Sequence, residues 1–367
     1  MGESTYAADT FGSPAPVLSV SPVVLPAPGR AVDLEVRVSA PVTGSDLPLI
    51  LLSHGQGHSN NLSSLNGYAP LANFWAAHGF AVIQPTHLSS TTLSLAPDTP
   101  GAPLFWRSRA EDMTRVLDQL DVIEAAVPQL LGRLDHSKVA VAGHSMGGHT
   151  ASLLLGARLT DLDDGTEVNL AEPRIKAGVL LGAPGRGGDA LTESVAENWP
   201  FFSTTDFSRM ATPTLVVAGD KDASAHLTVS GPDWHADPYV LAPGPKSLLT
   251  LFDAEHGFGG ISGYDVAETT DESPERVAVV QRLTWAYLRT ALHPGDSAWQ
   301  AARHPLVGDL TLDYVALAAE DDPDQTLVIL TAESASPSAD ALGILASWSS
   351  ASTTAPQAPG QNHNPTI

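Results

Sequence analysis

The chain contains no cysteine in 367 residues. That one absence removes disulfides, thiolate nucleophiles and Cys-ligated zinc together, and it leaves the compartment undetermined. Cations are scarce as well: 18 Lys and Arg stand against 41 Asp and Glu, for a formal net charge of −23. No basic stripe offsets this locally, so the surface repels phosphate backbones and anionic lipid, and nucleic acid is excluded as a partner. No apolar run approaches the ~20 residues needed to cross a bilayer, which excludes a transmembrane segment. Met1–Pro16 lacks the basic-then-apolar order of a signal peptide, so the default expectation is a cytoplasmic protein. What the chain does have is 43% hydrophobic residues, enough for a sizeable core.

The hydrophobic pattern has an alternating rhythm. Residues 1–16 are rich in Ser, Pro, Gly and Ala and read as a loose arm. Val17–Leu25 and Ala31–Ser39, around the turn at Pro28-Gly29, read as an antiparallel pair of strands. Continuous apolar runs then read as strands covered on both faces: Pro48–Ser53, Phe80–Ile83, Lys138–Gly143, Ile175–Leu181, Thr214–Gly219 and Ser247–Phe252. Between them, Leu71–His78, Ser108–Val127 and Met146–Leu159 carry helical spacing, and Ser273-Pro274 opens a last amphipathic helix to Leu292. This alternation predicts an α/β fold over 17–292, a mainly parallel twisted sheet flanked by helices. Two long insertions, 86–107 and 183–210, follow strand ends and read as lids over a substrate pocket. Residues 304–367 hold eight acids and no Lys or Arg. Residues 293–348 are therefore an acidic extension without an assigned role, and 349–367 are expected to be disordered.

The motif with the most chemistry in it is Gly143-His144-Ser145-Met146-Gly147-Gly148, set between a β-branched strand and an apolar-periodic helix. A sharp strand-to-helix turn strains the backbone of its central serine and needs small neighbours two residues either side. It presents Ser145 Oγ at a helix N-terminus, where amides and the helix dipole favour an oxyanion. A serine nucleophile needs a base and a group to orient that base. Downstream, Leu215–Asp222 ends a strand with two acids, and Leu251–Phe258 ends the next with His256. Asp222 is the preferred acid, with Asp220 and Asp189 as alternatives.

The loop His54-Gly55-Gln56-Gly57 follows another strand end. There the Gln56 N–H, with that of Met146, would form a two-donor oxyanion hole. His54 and His58 lie in a Gly-rich loop rather than on a helix, so they are no zinc pair, and no metal ligand set is expected. His144 is expected to pack, while His149, His226 and His235 show no partner in the sequence. Aromatic residues concentrate in the two insertions. Trp106, Trp199, Phe201, Phe202 and Phe207, with Phe258 and His54, are the expected lining of an apolar pocket.

His54-Gly55, the Gly143–Gly148 turn, Gly219–Asp222 and His256-Gly257 together resemble the α/β-hydrolase superfamily across residues 17–292. The segments Pro48–Gly57 and Gly143–Gly148 are most similar to the chlorophyllase and platelet-activating-factor acetylhydrolase-like esterases, near the dienelactone hydrolases. The resemblance implies cofactor-free hydrolysis of carboxylic esters or lactones by Ser145, His256 and an acid. One departure is the stretch Leu180–Gly185, which lacks the acid that acetylhydrolase-type members carry there. The sequence reading is a serine hydrolase for a bulky hydrophobic ester or lactone, a polyketide macrolactone included. A lipid- or polymer-surface esterase, a thioesterase or peptidase, and an inactive binding protein on the same fold are the alternatives, and self-association is left open. Deleting Ser349–Ile367 is expected to leave melting temperature and esterase rate unchanged; a large loss of either would show that the tail packs on the domain.

Overall fold

In the first 296 residues the alternation closes into one layered unit. The computed structural model describes residues 13–296 except 60, 163, 264–265 and 294, together with the backbone of 301–304, 308–311, 313–319 and 322–331. In chain order the principal elements are β1 (Val17–Leu25), β2 (Leu34–Pro41), β3 (Leu47–Ser53), α1 (Ala69–Ala77) and β4 (Ala81–Pro85). Then come α2 (Trp106–Asp118), α3 (Leu120–Ala126), β5 (Leu134–His144), α4 (Met146–Leu155) and β6 (Ile175–Leu181). The last five are α5 (Glu193–Asn198), β7 (Thr214–Gly219), α6 (Asp237–Leu241), β8 (Lys246–Leu251) and α7 (Pro274–Leu292).

The eight strands form one sheet in the order β1-β2-β4-β3-β5-β6-β7-β8. β2 pairs antiparallel with both β1 and β4, and every pairing from β4 to β8 is parallel. The register aligns the carboxyl ends: Ser53 faces Gly143, His144 faces Leu181, and Gly219 faces Leu251. Parallel strands need helical crossovers on their faces, so every residue of β3 is buried. The loops at the aligned ends are left as the place where side chains can converge.

Three local readings change. The helix expected over 108–127 breaks at Gln119 (φ −124°) into α2 and α3. Its apolar period runs on across the break, since Val116, Leu117, Leu120 and Ile123 are all buried. The helix expected to reach Leu159 stops at Gly156, whose φ of +118° favours glycine, and Arg158–Thr160 pairs instead with Glu167–Asn169. Residues 13–16 are held rather than loose: the Ala15 N–H donates to the Ala77 carbonyl at 2.8 Å, and Val42 N–H to Pro16 at 2.9 Å.

Residues 297–367 form a second unit. Within it Ala301–His304 pairs antiparallel with Gly308–Thr311, and Asp313–Ala319 with Asp322–Thr331. The expected disordered tail at 349–367, and most of the expected N-terminal arm, lie outside the described residues. Among the described residues no helix is long and apolar enough to cross a membrane.

Leu51 is fully buried on β3 within the main core, whereas Val24 on edge strand β1 is half exposed. Leu51→Ala is expected to lower unfolding free energy by ~2–5 kcal/mol. Val24→Ala should stay within about 0.5 kcal/mol. Urea unfolding of the two variants checks both; equal losses would mean that the sheet centre is not the core.

Candidate active site

β5 enters α4 through Ser145, whose φ of +55° and ψ of −121° are a strained conformation for a residue with a side chain. Such strain persists only where the surroundings enforce it, and two glycines do so here. A Cβ on Gly143 would lie 2.0 Å from the Gly147 carbonyl oxygen, and one on Gly147 would lie 2.1 Å from that of Ser53. Only bare backbone lets the start of α4 approach the ends of β3 and β5 this closely. Met146 opens α4, so its N–H is among the amides that the helix itself leaves unbonded.

The loops after β7 and β8 bring the other two groups together. Asp222, buried, accepts from His256 Nδ1 at 2.7 Å. Of the three acids considered, Asp222 is the one bonded to this histidine, while Asp189 is exposed on a short 3-10 turn. A second histidine, for which the sequence showed no partner, meets the same carboxylate: His235 Nε2 stands 3.2 Å from Asp222 Oδ2. Ser224 Oγ donates to the other oxygen at 2.8 Å. Burial alone would raise the Asp222 pKa, but hydrogen bonds from His235 and His256 outweigh it and hold the carboxyl well below the usual carboxylate range. The ligand atoms of Asp222, His235 and His256 lie within 4.8 Å of one another, a donor set of the kind that takes a divalent metal. In this arrangement those atoms are engaged with each other.

Comparison with known proteins now bears on a defined geometry. Cutinase 2 of Thermobifida cellulosilytica is 29% identical over 182 residues, 49% of this chain and 51% of its own length. Cutinase est2 of Thermobifida alba is 26% identical over 203 residues, 54% of this chain and 50% of its own. A platelet-activating factor acetylhydrolase of Cavia porcellus is 29% identical over 29% of this chain and 31% of its own. The chain is thus similar to esterases of the α/β-hydrolase type. It spans about a third to a half of the length of these curated relatives. Among solved structures, a Pyrobaculum calidifontis esterase superposes with a TM-score of 0.49 at 20% identity, covering 77% of this chain and 88% of that one. A family model described as MmyB-like transcription regulator ligand binding domain matches residues 272–345, less than half of the chain.

Within this site a buried relay ties three segments together. The Gly55 N–H donates to Tyr68 Oη at 2.9 Å, and Tyr68 Oη lies 2.7 Å from His144 Nδ1. His144 Nε2 lies 2.8 Å from the His256 carbonyl. That carbonyl only accepts, so Nε2 carries the proton and Nδ1 accepts from the tyrosine. Burial, reinforced by the neighbouring His256, pulls the His144 pKa down to about 3 and keeps the ring neutral. Beneath the same loop lies Arg109, fully buried, which donates to Ser89 Oγ at 2.6 Å, to Thr150 Oγ1 at 3.1 Å and to the His54 carbonyl. Burial lowers its pKa to about 9, so it is still a cation at neutral pH. A charge therefore fixes the peptide that leads into Gly55-Gln56.

A cavity of about 610 Å³ opens at this edge, lined by Ser145, His256, Gln56, His58, His226, Lys221, Glu255, Glu268 and Thr270 among others. No Trp, Phe or Tyr is among its lining residues, so the expected aromatic lining is corrected. Phe207 lies in the main core, and Phe258 is buried edge-on to His144. Phe202 packs with Met146 and Trp234 in a smaller apolar cluster, and Trp199 rests against it. Trp106 and Phe201 stack at 5.6 Å and border a separate cavity of about 420 Å³. Aromatic rings from the two insertions pack largely against one another, with Trp106, Trp199 and Phe201 left half-buried. His54 does not line the site either: buried, its Nδ1–H donates to the Gly55 carbonyl at 2.7 Å, and its Nε2 accepts from the His87 N–H at 3.1 Å.

His149, one turn along α4 from Ser145, is buried between Phe201 and Phe202, with no hydrogen-bond partner for either ring nitrogen. Burial and the Arg109 charge lower its pKa to about 3. The unfolded chain binds this proton near pH 6.5 and the folded one does not, so stability falls as pH drops below 6.5. His149→Leu is expected to stabilise the fold by ~1–3 kcal/mol, and by more at pH 5 than at pH 7.5. Urea unfolding at both pH values checks this; a loss, or the same gain at each pH, would refute it.

Proposed function

We propose that the chain hydrolyses carboxylic esters by acyl transfer, with Ser145 as nucleophile and His256 as base. The observation that carries this reading is the buried Asp222–His256 hydrogen bond of 2.7 Å, opening on the cavity that also holds Ser145 on its strained turn. His256 takes the Ser145 hydroxyl proton as Oγ attacks the ester carbonyl carbon. Backbone N–H groups of Gln56 and Met146 stabilise the tetrahedral oxyanion, and Asp222 holds the imidazole with its Nδ1 proton inward. The protonated His256 then gives its proton to the departing alcohol oxygen. Water, activated by the same ring, releases the acid.

The many polar side chains around the cavity, and the lack of aromatic ones, favour a compact ester bearing hydrogen-bond donors. Two acceptors, Gln56 Oε1 and Glu268 Oε2, are buried at the cavity without a partner. They give no support to the bulky hydrophobic lactone of the sequence reading. A surface esterase acting on a polymer is a second reading, favoured by the relatives named cutinases. Wild type, Ser145→Ala and His256→Ala are to be compared on chromogenic esters from acetate to long acyl chains, with and without chelator, and on a polyester film. Wild type is expected to turn over short acyl esters fastest, and each variant to lose at least ~1,000-fold. Activity on the film alone would favour the surface reading. A wild type inactive on every substrate, or a Ser145→Ala that keeps its rate, would refute acyl transfer.

A further inference from the structure

His235 is fully buried on the turn Pro232–Ala236, outside the lining of the cavity. Its surroundings determine where its protons are. Nδ1 lies 2.9 Å from the Ala183 carbonyl, which only accepts, so Nδ1 carries a proton. Nε2 lies 3.2 Å from Asp222 Oδ2 and 3.0 Å from Ser224 Oγ. The single Ser224 hydroxyl proton is directed to Asp222 Oδ1, at 2.8 Å. Both neighbours of Nε2 therefore offer lone pairs. A neutral ring would set a third lone pair against them, and a proton on Nε2 satisfies all three.

We propose that His235 is a positioning residue for the Ser145 site: a buried imidazolium that anchors Asp222 from the side opposite His256 and sets a second positive charge against protonation of the catalytic ring. This deepens the esterase reading and rests on it. The carboxylate is shared between two imidazoles whose ring centres are 5.6 Å apart. When His256 takes the serine proton, Asp222 stands between two cations, and the charge on His235 opposes that protonation. His235 also joins two loops, since Ala183 follows β6, while Asp222 and Ser224 lie earlier in its own connection from β7 to α6. The other ionisable groups that act on this cluster are Asp237 and Asp233 beside His235, Arg186 facing Asp237, His226 after β7, and His144, whose ring lies 4.7 Å from His256.

The test combines a pH profile with a direct reading of the proton. His235→Gln keeps a neutral donor near Asp222 and removes the charge, and His235→Phe removes both. In each, the acid limb of kcat/KM on a soluble ester is expected to move up by ~1–2 pH units, with KM changed less than twofold. His235→Phe should also lose kcat, and His235→Gln should retain most of it. An acid limb that stays in place in folded His235→Gln would overturn the proposal. Side-chain 15N NMR of the unmodified protein at pH 7 decides the matter independently of folding and of catalysis. Protons on both His235 nitrogens support the proposal, whereas a single-proton tautomer refutes it even if no ester is ever turned over. Wild-type inactivity with a doubly protonated ring would remove the esterase reading and leave the buried ion pair standing.

Discussion

The site depends on how closely the start of α4 can approach the ends of β3 and β5. Side chains at Gly143 or Gly147 would overlap backbone oxygens, and without that contact the serine would not hold its left-handed turn. Much else follows from this approach. β3 and β5 must end level, which their register provides. The Gly55-Gln56 loop must leave β3 beside the serine. The first amides of α4 then face the same space. The sheet builds the platform, and the glycines set the distance.

Polar burial does the rest of the positioning. Arg109 is a cation sealed beneath the platform, with hydroxyls and a peptide carbonyl as its hydrogen-bond partners. Burying a charge is costly unless hydrogen bonds compensate, so a guanidinium in such a place fixes the geometry of what it touches. The Tyr68–His144 relay works in the same way with neutral groups. It carries one hydrogen-bond polarity from Gly55 to the His256 backbone. Three loops distant in sequence are thereby held in one arrangement.

The strands were legible because β3, β5, β6 and β7 are covered on both faces and read as unbroken apolar runs. The serine turn was legible because its glycines are a local steric requirement. The helix break at Gln119 was hidden, since the apolar period continues through it. His235 was hidden for another reason: its partner Ala183 lies far along the chain, and nothing in Pro232–Ala236 signals either Ala183 or Asp222. The aromatic residues were misplaced because composition says how much ring surface an insertion carries and not whether the rings face a ligand or each other. Met146, proposed for its backbone amide, has a side chain in that same apolar cluster.

Glu255 and Glu268 line the cavity, opposed among the lining residues by Lys221, on a chain of net charge −23. Under the proposed esterase reading, hydrolysis of a neutral ester would create a carboxylate inside that field. The substrate enters without meeting repulsion, while the acid it becomes is pushed outward by the local charge and by the protein as a whole. On that reading the acidity would act as a one-way bias on turnover: product would leave a site that substrate had no electrostatic reason to avoid.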